Sequence, residues 1–294
     1  MAWESEWPNS FMTVDEALRE AVRRLCKSGV ESPNVDAEWL ISELISCARS
    51  EIAINNKREL SQDEQSLLSD QLVRRERREP LQSILGATSF FGFDFCVGPE
   101  ALIPRPETES LVEHAIQFVK HHPSSIVLDL GTGSGCIAVA LAKFCPGTKI
   151  LASDLHGPAL KLAKQNAMRL NALSQITFCQ ADGMAALAKN ESVDLIVSNP
   201  PYIPTSEIST LQPEVRKHDP PIALDGGADG LYFYRQLAIE GFPRLKKKGQ
   251  LIAEFGDGQA TAVTEVFRQA AWANVEIKND LGGRKRIVIA STGF

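Results

Sequence analysis

A strand, a glycine-rich turn and a helix follow one another at residues 126–142, and this run constrains the fold more than any other part of the chain. The apolar run 126–130 predicts a buried strand, residues 131–135 have the spacing G-x-G-x-G, and residues 136–142 predict a helix. Glycines let the backbone of such a turn pass close to a ligand. The sequence therefore predicts a binding site where the first core strand ends.

Strands and helices alternate through the rest of the chain. Helices are predicted at 108–120, 136–143, 157–170, 231–244 and 259–271, with strands at 126–130, 149–153, 176–179, 193–198, 250–255, 274–278 and 286–290. This alternation predicts an α/β fold with a mostly parallel sheet. The long connection at 203–228 starts at a strand end where a ligand is expected, so we interpret it as a substrate-facing flap.

The first part of the chain has a different character. Residues 11–80 predict a small helical bundle, in which Thr13 and Ser61 each open a capping box. The mixed charges at 74–79 are typical of a solvated helix end. Residues 86–100 predict a β-hairpin, and alternation there places Phe91, Phe93 and Phe95 on one face. Three segments result: 1–85, 86–107 and 108–294.

Composition narrows the class of protein. The formal net charge of −6 argues against a direct nucleic-acid partner gripped through its phosphates. Six cysteines without CxxC pairs predict neither a metal site nor a disulfide framework, and they fit the reducing cytoplasm. No apolar run reaches the ~18–20 residues that span a bilayer, so no membrane association is expected. The acidic start at residues 1–6 does not resemble a signal peptide.

Polar side chains end the strands that follow the glycine-rich turn. Asp154 stands 19 residues after Gly135, where a carboxylate can accept hydrogen bonds from both hydroxyls of a ribose. Asp182 ends the next strand and is placed to meet an adenine amino group. Cys136 occupies the position where a dinucleotide fingerprint has its last glycine. These features favour a nucleoside with an amino-acid tail over a pyrophosphate.

The sequence Asn199-Pro200-Pro201-Tyr202 ends the strand 193–198. Two prolines supply no N–H, so the Asn199 side-chain oxygen and the Pro200 carbonyl are free to accept hydrogen bonds from an NH₂ group. Tyr202 adds a flat surface for a planar acceptor. S-adenosylmethionine has the shape that the strand ends predict, and an amide or aromatic amine held at Asn199 would face its methyl group. Asn199 and Pro200 are the predicted catalytic residues.

At this point the chain resembles the peptide chain release factor glutamine methyltransferases, within the protein-(glutamine-N5) methyltransferase family. The resemblance covers nearly the whole chain. It is carried by LIPRPETE at 102–109, DLGTGSG at 129–135, SNPPYI at 198–203, ALDGGADG at 223–230, Asp36-Ala37-Glu38-x-Leu40, and Asp280-Leu281-x-Gly283 with Arg286. It implies a seven-stranded, Rossmann-like S-adenosylmethionine-dependent methyltransferase fold at 108–294. It also implies that the helical domain at 1–85 docks the protein substrate.

The resemblance further implies an enzyme that methylates the glutamine amide of a Gly-Gly-Gln motif in release factors, with S-adenosylhomocysteine as the product. We expect a cytoplasmic monomer. The residues expected to bind the cofactor are Gly131, Thr132, Gly133, Ser134, Gly135, Asp154, Asp182, Gly183 and Asn199. Those expected to hold the glutamine are Asn199, Pro200, Pro201 and Tyr202.

Two departures and three alternatives accompany this interpretation. Gly183 stands where the family usually has a bulky residue, so Met184 is a candidate for the adenine wall. Within the flap, His218-Asp219-Pro220 replaces the aromatic-Glu-Pro sequence that is usual in the family. Arg105 has two possible positions, the mouth of the site and the plain surface. The alternatives are a glutamine methyltransferase for a ribosomal protein, a nucleic-acid exocyclic-amine methyltransferase, and a non-catalytic cofactor-binding module.

Overall fold

The computed structural model describes residues 12–270 and 272–293, which divide into two units. The first unit contains the described residues up to Leu85 together with Pro213–His218. The second contains Gly86–Gln212 and the described residues from Asp219 onward. The acidic stretch at residues 1–6 and the last predicted helical residue, Ala271, lie outside the described residues.

Helices dominate the first unit. Its elements up to Leu85 are β1 (Met12–Thr13), α1 (Val14–Lys27), α2 (Pro33–Leu44), β2 (Glu59–Leu60), α3 (Gln62–Glu76) and α4 (Leu81–Leu85). Thr13 and Ser61 close the predicted capping boxes of α1 and α3 with Glu16 and Glu64. Each box satisfies backbone N–H groups that a helix start leaves without intrahelical partners.

The second unit alternates strands and helices as the sequence predicts. In chain order it contains β3 (Ala87–Phe90), β4 (Phe93–Cys96), α5 (Thr108–His121), β5 (Ile126–Leu130), α6 (Cys136–Phe144), β6 (Lys149–Asp154), α7 (Gly157–Arg169), β7 (Ile176–Gln180) and β8 (Val193–Ser198). After α8 (Pro213–His218), which belongs to the first unit, follow α9 (Tyr232–Gly241), β9 (Leu245–Glu254), α10 (Ala260–Gln269), β10 (Asn274–Asn279) and β11 (Lys285–Ser291).

Seven of these strands form one sheet in the order β10-β11-β9-β8-β5-β6-β7. The strands from β9 to β7 run parallel, and β11 is antiparallel to both of its neighbours. The seven-stranded α/β fold is therefore confirmed. Apolar side chains on both faces of the sheet form two cores, which include Val127, Leu195 and Val197 in one and Leu128, Ile196 and Leu251 in the other.

Three predictions of detail are wrong. The hairpin pairs Phe90 with Phe93, which places Phe91 in the two-residue turn with Gly92 rather than in a strand. Both turn residues have positive φ, which suits the right-handed twist of a hairpin. Phe90 and Phe95 are therefore the buried pair. The connection after β8 is not a bare loop, because short helices interrupt it at Thr205–Thr210, Pro213–His218 and Pro221–Ala223.

The third correction concerns the charged end of α3. Arg75 is buried and donates to Asp36 over 2.7 Å and to Glu214 of α8 over 2.9 Å. Arg78 donates to the same Glu214 carboxylate through two nitrogens. These arginines form a partly buried ion network inside the first unit, and only part of the run is a solvated helix end. Among the described residues, no helix is both long and apolar enough to cross a bilayer.

Candidate active site

Two strand ends bring the glycine-rich turn next to Asn199. β5 and β8 are parallel neighbours, and their last residues, Leu130 and Ser198, are register partners. The chain leaves these positions into residues 131–135 and into Asn199 respectively. Beside them lies a cleft of about 1330 Å³, its solvent-open mouth included. Ligands of open parallel sheets bind outside such carboxyl ends, so this is the candidate active site.

Backbone hydrogen bonds fix the glycine-rich turn. The N–H groups of Gly131 and Thr132 both donate to the Ser153 carbonyl at 2.9 Å. Gly133 N–H donates to Asp154 Oδ2 over 2.9 Å. The turn is thus fastened to the end of β6, and the Asp154 carboxylate takes part in holding it.

Asp129, inside β5, accepts hydrogen bonds from the same turn and from the helix that follows it. Its Oδ2 accepts from Thr132 Oγ1 at 2.6 Å and from the N–H of Ala138, in the first turn of α6, at 3.1 Å. Burial raises its pKa to about 7, although both hydrogen bonds favour the charged form. Asp129 therefore links the turn to the start of α6.

Eight of the nine residues predicted to bind the cofactor line the cleft. They are Gly131, Thr132, Gly133, Ser134, Asp154, Asp182, Gly183 and Asn199. Gly135 does not line it, because the position of its missing side chain is only 3.0 Å from Ala163 of α7. Its backbone lies close to α7, so a larger residue would push Ala163 away by a few tenths of an ångström, and its φ of +81° also favours glycine. Met184, which is buried, lines the cleft directly after Gly183.

The Asn-Pro-Pro-Tyr stretch divides at its last residue. Asn199, Pro200 and Pro201 line the cleft, whereas Tyr202 packs against the core that contains Leu128 and Ile196 and does not line the cleft. Burial raises the pKa of Tyr202 to about 12. Its carbonyl accepts from Gln259 Nε2 at 2.9 Å. The structure thus places Tyr202 as an anchor of the stretch, and its predicted stacking on the acceptor stays a prediction.

The Asn199 side chain is held from behind by two residues that the sequence interpretation missed. Its Nδ2 donates to Thr108 Oγ1 over 3.0 Å, and Thr108 Oγ1 donates to Glu254 Oε2 over 2.7 Å. Thr108 begins α5 and Glu254 ends β9, and both are buried. The Asn199 Oδ1 atom is buried and has no hydrogen-bond partner among the described residues. An acceptor atom is therefore available at the position predicted to hold an NH₂ group.

Glu254 has an unusual environment for a carboxylate. Burial raises its pKa to about 7, against the opposing effects of the Thr108 hydrogen bond and the charge of Arg286. The Asn199 amide also lowers this pKa through a hydrogen bond. The protonation of Glu254 is consequently coupled to the position of the Asn199 amide.

Arg105 lines the cleft with its side chain 34% exposed, which favours the site over the plain surface, the two positions that the sequence left open. It donates to Asp219 Oδ2 over 2.6 Å, and the Asp219 side chain is only 2% exposed. Pro220, Ile222 and Ala223 follow Asp219 and line the cleft. The acid that departs from the family pattern thus anchors the cleft-lining segment.

Sequence comparisons agree with this geometry. Residues 16–86 match the family model described as the PrmC N-terminal domain, and residues 108–212 match the methyltransferase small domain. The release factor glutamine methyltransferase of Caulobacter vibrioides is 39% identical over 278 residues, which are 95% of this chain and 96% of that protein. The enzyme of the same name from Geobacter sulfurreducens is 40% identical over 264 residues, 90% of this chain and 91% of that protein.

The chain belongs to the release factor glutamine methyltransferase family. The resemblance inferred from the motifs is therefore confirmed. A solved methyltransferase from Pyrococcus furiosus superimposes with a TM-score of 0.52 at 20% identity, covering 76% of this chain and 99% of that one. That similarity concerns the fold alone, and it agrees with the seven-stranded sheet of this family member.

Signals for the missed residues were weak. Thr108 lies inside the LIPRPETE stretch, but nothing in its spacing connects it to Asn199. Glu254 is a lone acid at the end of an apolar strand. Asp129 is the first residue of the DLGTGSG stretch and interrupts a buried strand, which marks it as a buried polar group in need of partners.

Proposed function

We propose that this protein transfers a methyl group from S-adenosylmethionine to the side-chain amide nitrogen of the glutamine in the Gly-Gly-Gln motif of peptide chain release factors. The observation that carries the proposal is the buried Oδ1 of Asn199, which has no hydrogen-bond partner within residues 12–270 and 272–293. Asn199 follows Ser198, the register partner of Leu130, after which the glycine-rich turn begins. A buried acceptor without a partner is costly, and a glutamine NH₂ group would satisfy it.

The cleft fits the proposed cofactor in its chemistry. Gly131–Gly133 leave room over the turn, since a methyl group on Gly131 would meet no atom within 4 Å. Asp154 and Asp182 offer carboxylate acceptors to ribose hydroxyls and an amino group, and Met184 offers an apolar surface. When bound, S-adenosylmethionine would supply an electrophilic methyl group: the N–C bond to the glutamine forms as the S–C bond breaks, S-adenosylhomocysteine leaves, and one N–H proton goes to solvent.

The chain contributes orientation rather than a nucleophile. Asn199 Oδ1 and the Pro200 carbonyl accept the two N–H bonds of the glutamine amide, which turns its nitrogen toward the methyl group. An amide nitrogen is a poor nucleophile because its lone pair is delocalised, so hydrogen bonds that strengthen as the N–H bonds leave the amide plane lower the barrier. Orientation of this kind can contribute as much as ~7–11 kcal/mol.

The release factor is the proposed protein partner, docked by the helical first unit, and the cytoplasm is the proposed location. The curated relatives carry release factor glutamine methyltransferase as their name, which supports this substrate over a ribosomal protein or DNA. We propose that the protein acts as a monomer without direct nucleic-acid contact.

The test is a labelled-methyl transfer assay with release factor, a ribosomal-protein fraction and DNA in parallel, followed by mass spectrometry of the modified site. We expect label on the glutamine of Gly-Gly-Gln. Asn199→Ala should lower the rate at least ~100-fold, because the acceptor loses its orientation. Asn190→Ala, at an exposed asparagine outside the cleft, is the matched control and should transfer like wild type. Label on the ribosomal protein or DNA alone would overturn the proposal.

A further inference from the structure

Asn199 can present either its oxygen or its nitrogen to an acceptor, and only one orientation suits a glutamine NH₂ group. An amide side chain turned by half a revolution exchanges its acceptor and donor ends at almost no steric cost. In the wrong orientation two NH₂ groups would face each other and no hydrogen bond would form. Something must therefore fix the rotation of this amide.

The hydrogen bonds behind Asn199 supply that constraint. A threonine hydroxyl has one proton to donate, and Thr108 donates it to Glu254 Oε2 at 2.7 Å. Toward Asn199, Thr108 Oγ1 can then act only as an acceptor, so it selects the Nδ2 end, at 3.0 Å. The Oδ1 end is left without a protein partner among the described residues.

Burial makes this selection strong. Thr108 is 3% exposed and Glu254 is 2% exposed, so water cannot readily replace either hydrogen bond. A broken polar contact in such a place costs more than one at the surface. Glu254 is the last residue of β9, which pairs with β8 in the sheet. A rigid strand therefore holds the carboxylate that accepts the hydrogen bond from Thr108.

We propose that Glu254 and Thr108 are positioning residues that act in series to fix the rotation of the Asn199 amide, so that its Oδ1 faces the substrate amide. This inference rests on the proposed function for the identity of the substrate. It assigns a role to two residues that do not touch the reacting atoms. The consequence is that the hydroxyl of Thr108, rather than its bulk, determines how quickly Asn199 can orient an acceptor.

The test compares Thr108→Val, which removes the hydroxyl at nearly constant volume, with Thr108→Ser, which keeps it. Thr264→Val is the matched control, because the Thr264 hydroxyl donates to Ala260 within α10, away from the cleft. Single-turnover methyl transfer to the release factor should fall about 10- to 100-fold in Thr108→Val and stay within about threefold of wild type in Thr108→Ser. S-adenosylmethionine affinity, measured by calorimetry, should change by less than about twofold in both.

A second readout is independent of methyl transfer. In ¹⁵N-labelled full-length protein, the Asn199 side-chain NH₂ signal, assigned by its loss in Asn199→Ala, should exchange with solvent at least about tenfold faster in Thr108→Val than in wild type or Thr108→Ser. Equal exchange in Thr108→Val and Thr108→Ser would overturn the positioning role. A wild type that never methylates the glutamine, but shows the exchange difference, would instead refute the proposed function alone.

Discussion

Arg105 donates a hydrogen bond to Asp219 over 2.6 Å, and this ion pair holds the segment after Asp219 at the mouth of the cleft. The Asp219 carboxylate is 2% exposed and the Arg105 side chain is 34% exposed, so the acid is far more desolvated than the base. Removal of one member of a buried ion pair leaves the other charge poorly solvated. The pair is therefore expected to contribute to both stability and cleft shape.

Arg105→Ala should lower the free energy of unfolding by about 2–4 kcal/mol, because it takes the hydrogen bond of its guanidinium away from the buried Asp219 carboxylate. Arg235→Ala is the control, because Arg235 pairs with Asp229 at the surface, where the two side chains are 51% and 50% exposed. An exposed pair contributes at most about 1 kcal/mol. Urea denaturation of the two variants measures the difference, and equal losses would contradict the anchoring role.

Gly226 and Gly230 both lie so close to the Tyr202 backbone that an added methyl group would collide with it. Gly230 has a φ of +73°, and a methyl group on its Cα would collide with the Tyr202 carbonyl oxygen. Gly258 has a similar φ of +79°, but a methyl group there would meet no atom within 4 Å. The two positions share backbone strain and differ only in the collision.

Gly230→Ala should therefore shift Tyr202 and, through the chain, Asn199, and methyl transfer should fall at least ~10-fold. Gly258→Ala carries only the strain of positive φ, which costs about 1–2 kcal/mol of stability, and should transfer at nearly the wild-type rate. Steady-state transfer assays on both variants provide the measurement. If the two lose activity equally, the collision with Tyr202 is not what matters.

Sequence reasoning predicted the part of this fold that local pattern determines. The predicted bounds of β5 and β8 match the structure at residues 126–130 and 193–198, because a buried apolar run meets glycine in one case and Pro-Pro in the other. The glycine-rich turn, Asp154, Asp182 and Asn199 all reach the cleft, since parallel strand ends share one edge. Local pattern thus predicts most of the residues that line the site.

Residues whose partners lie far away in sequence were missed or misread. Thr108 and Glu254 are 146 positions apart, and Arg75 and Glu214 are 139 apart. Apolar residues recur with a period that predicts helices and strands. Charged and hydroxyl residues have no such pattern in the sequence, so their distant partners cannot be predicted from it. A run such as 74–79 looks solvated until the fold supplies Asp36 and Glu214. The prediction for Phe91 was wrong for a different reason. Alternation of side chains cannot locate a two-residue turn inside an aromatic run.

Glu214 should stabilise the first unit. Burial disfavours its charge, but hydrogen bonds from Arg78, from its own backbone and from Arg75 outweigh this and lower its pKa. Glu214→Ala removes the acceptor for both arginines, so amide hydrogen exchange across α8 and the end of α3 should accelerate at least ~10-fold. Glu20→Ala, which breaks the exposed pair with Arg23, is the control and should leave exchange there unchanged. Unchanged exchange in Glu214→Ala would count against the network.

Glu254 should make methyl transfer depend on pH. Ionised Glu254 accepts a hydrogen bond from the Thr108 hydroxyl. Protonated Glu254 can instead donate a hydrogen bond to Thr108. The Thr108 hydroxyl can then donate to Asn199 Oδ1, which favours the opposite orientation of the Asn199 amide. Since burial raises the pKa of Glu254 to about 7, the single-turnover rate should rise as pH increases through about 7 and then level off. The groups that act on this carboxyl are Arg286, Glu107, Tyr202, Tyr234 and Cys136.

Tyr202 and Cys136 have pKa values of about 12, raised by burial, so neither changes charge in this range. Burial also raises the pKa of Asp129 to about 7, so its ionisation would change the transfer rate over the same pH range, through the glycine-rich turn. Glu254→Gln separates the two acids, because it removes the Glu254 carboxyl group and keeps that of Asp129. We expect the single-turnover rate of this variant to depend less on pH than that of wild type. An unchanged dependence would assign the rise near pH 7 to Asp129.

The same raised pKa has a consequence for stability with a definite sign. The unfolded chain releases the Glu254 proton near the ordinary glutamate pKa of 4.5, whereas the folded chain keeps it to about 7. Between these values the folded state binds more protons, so the free energy of unfolding should fall as pH rises from about 5 to 7. Asp129 contributes a decline over the same range, so Glu254→Gln, which removes one of these two groups, should make the decline shallower in urea denaturation series without abolishing it. A decline as steep as in wild type would show that Glu254 is ionised throughout, and the pH argument for Asn199 would then fail as well.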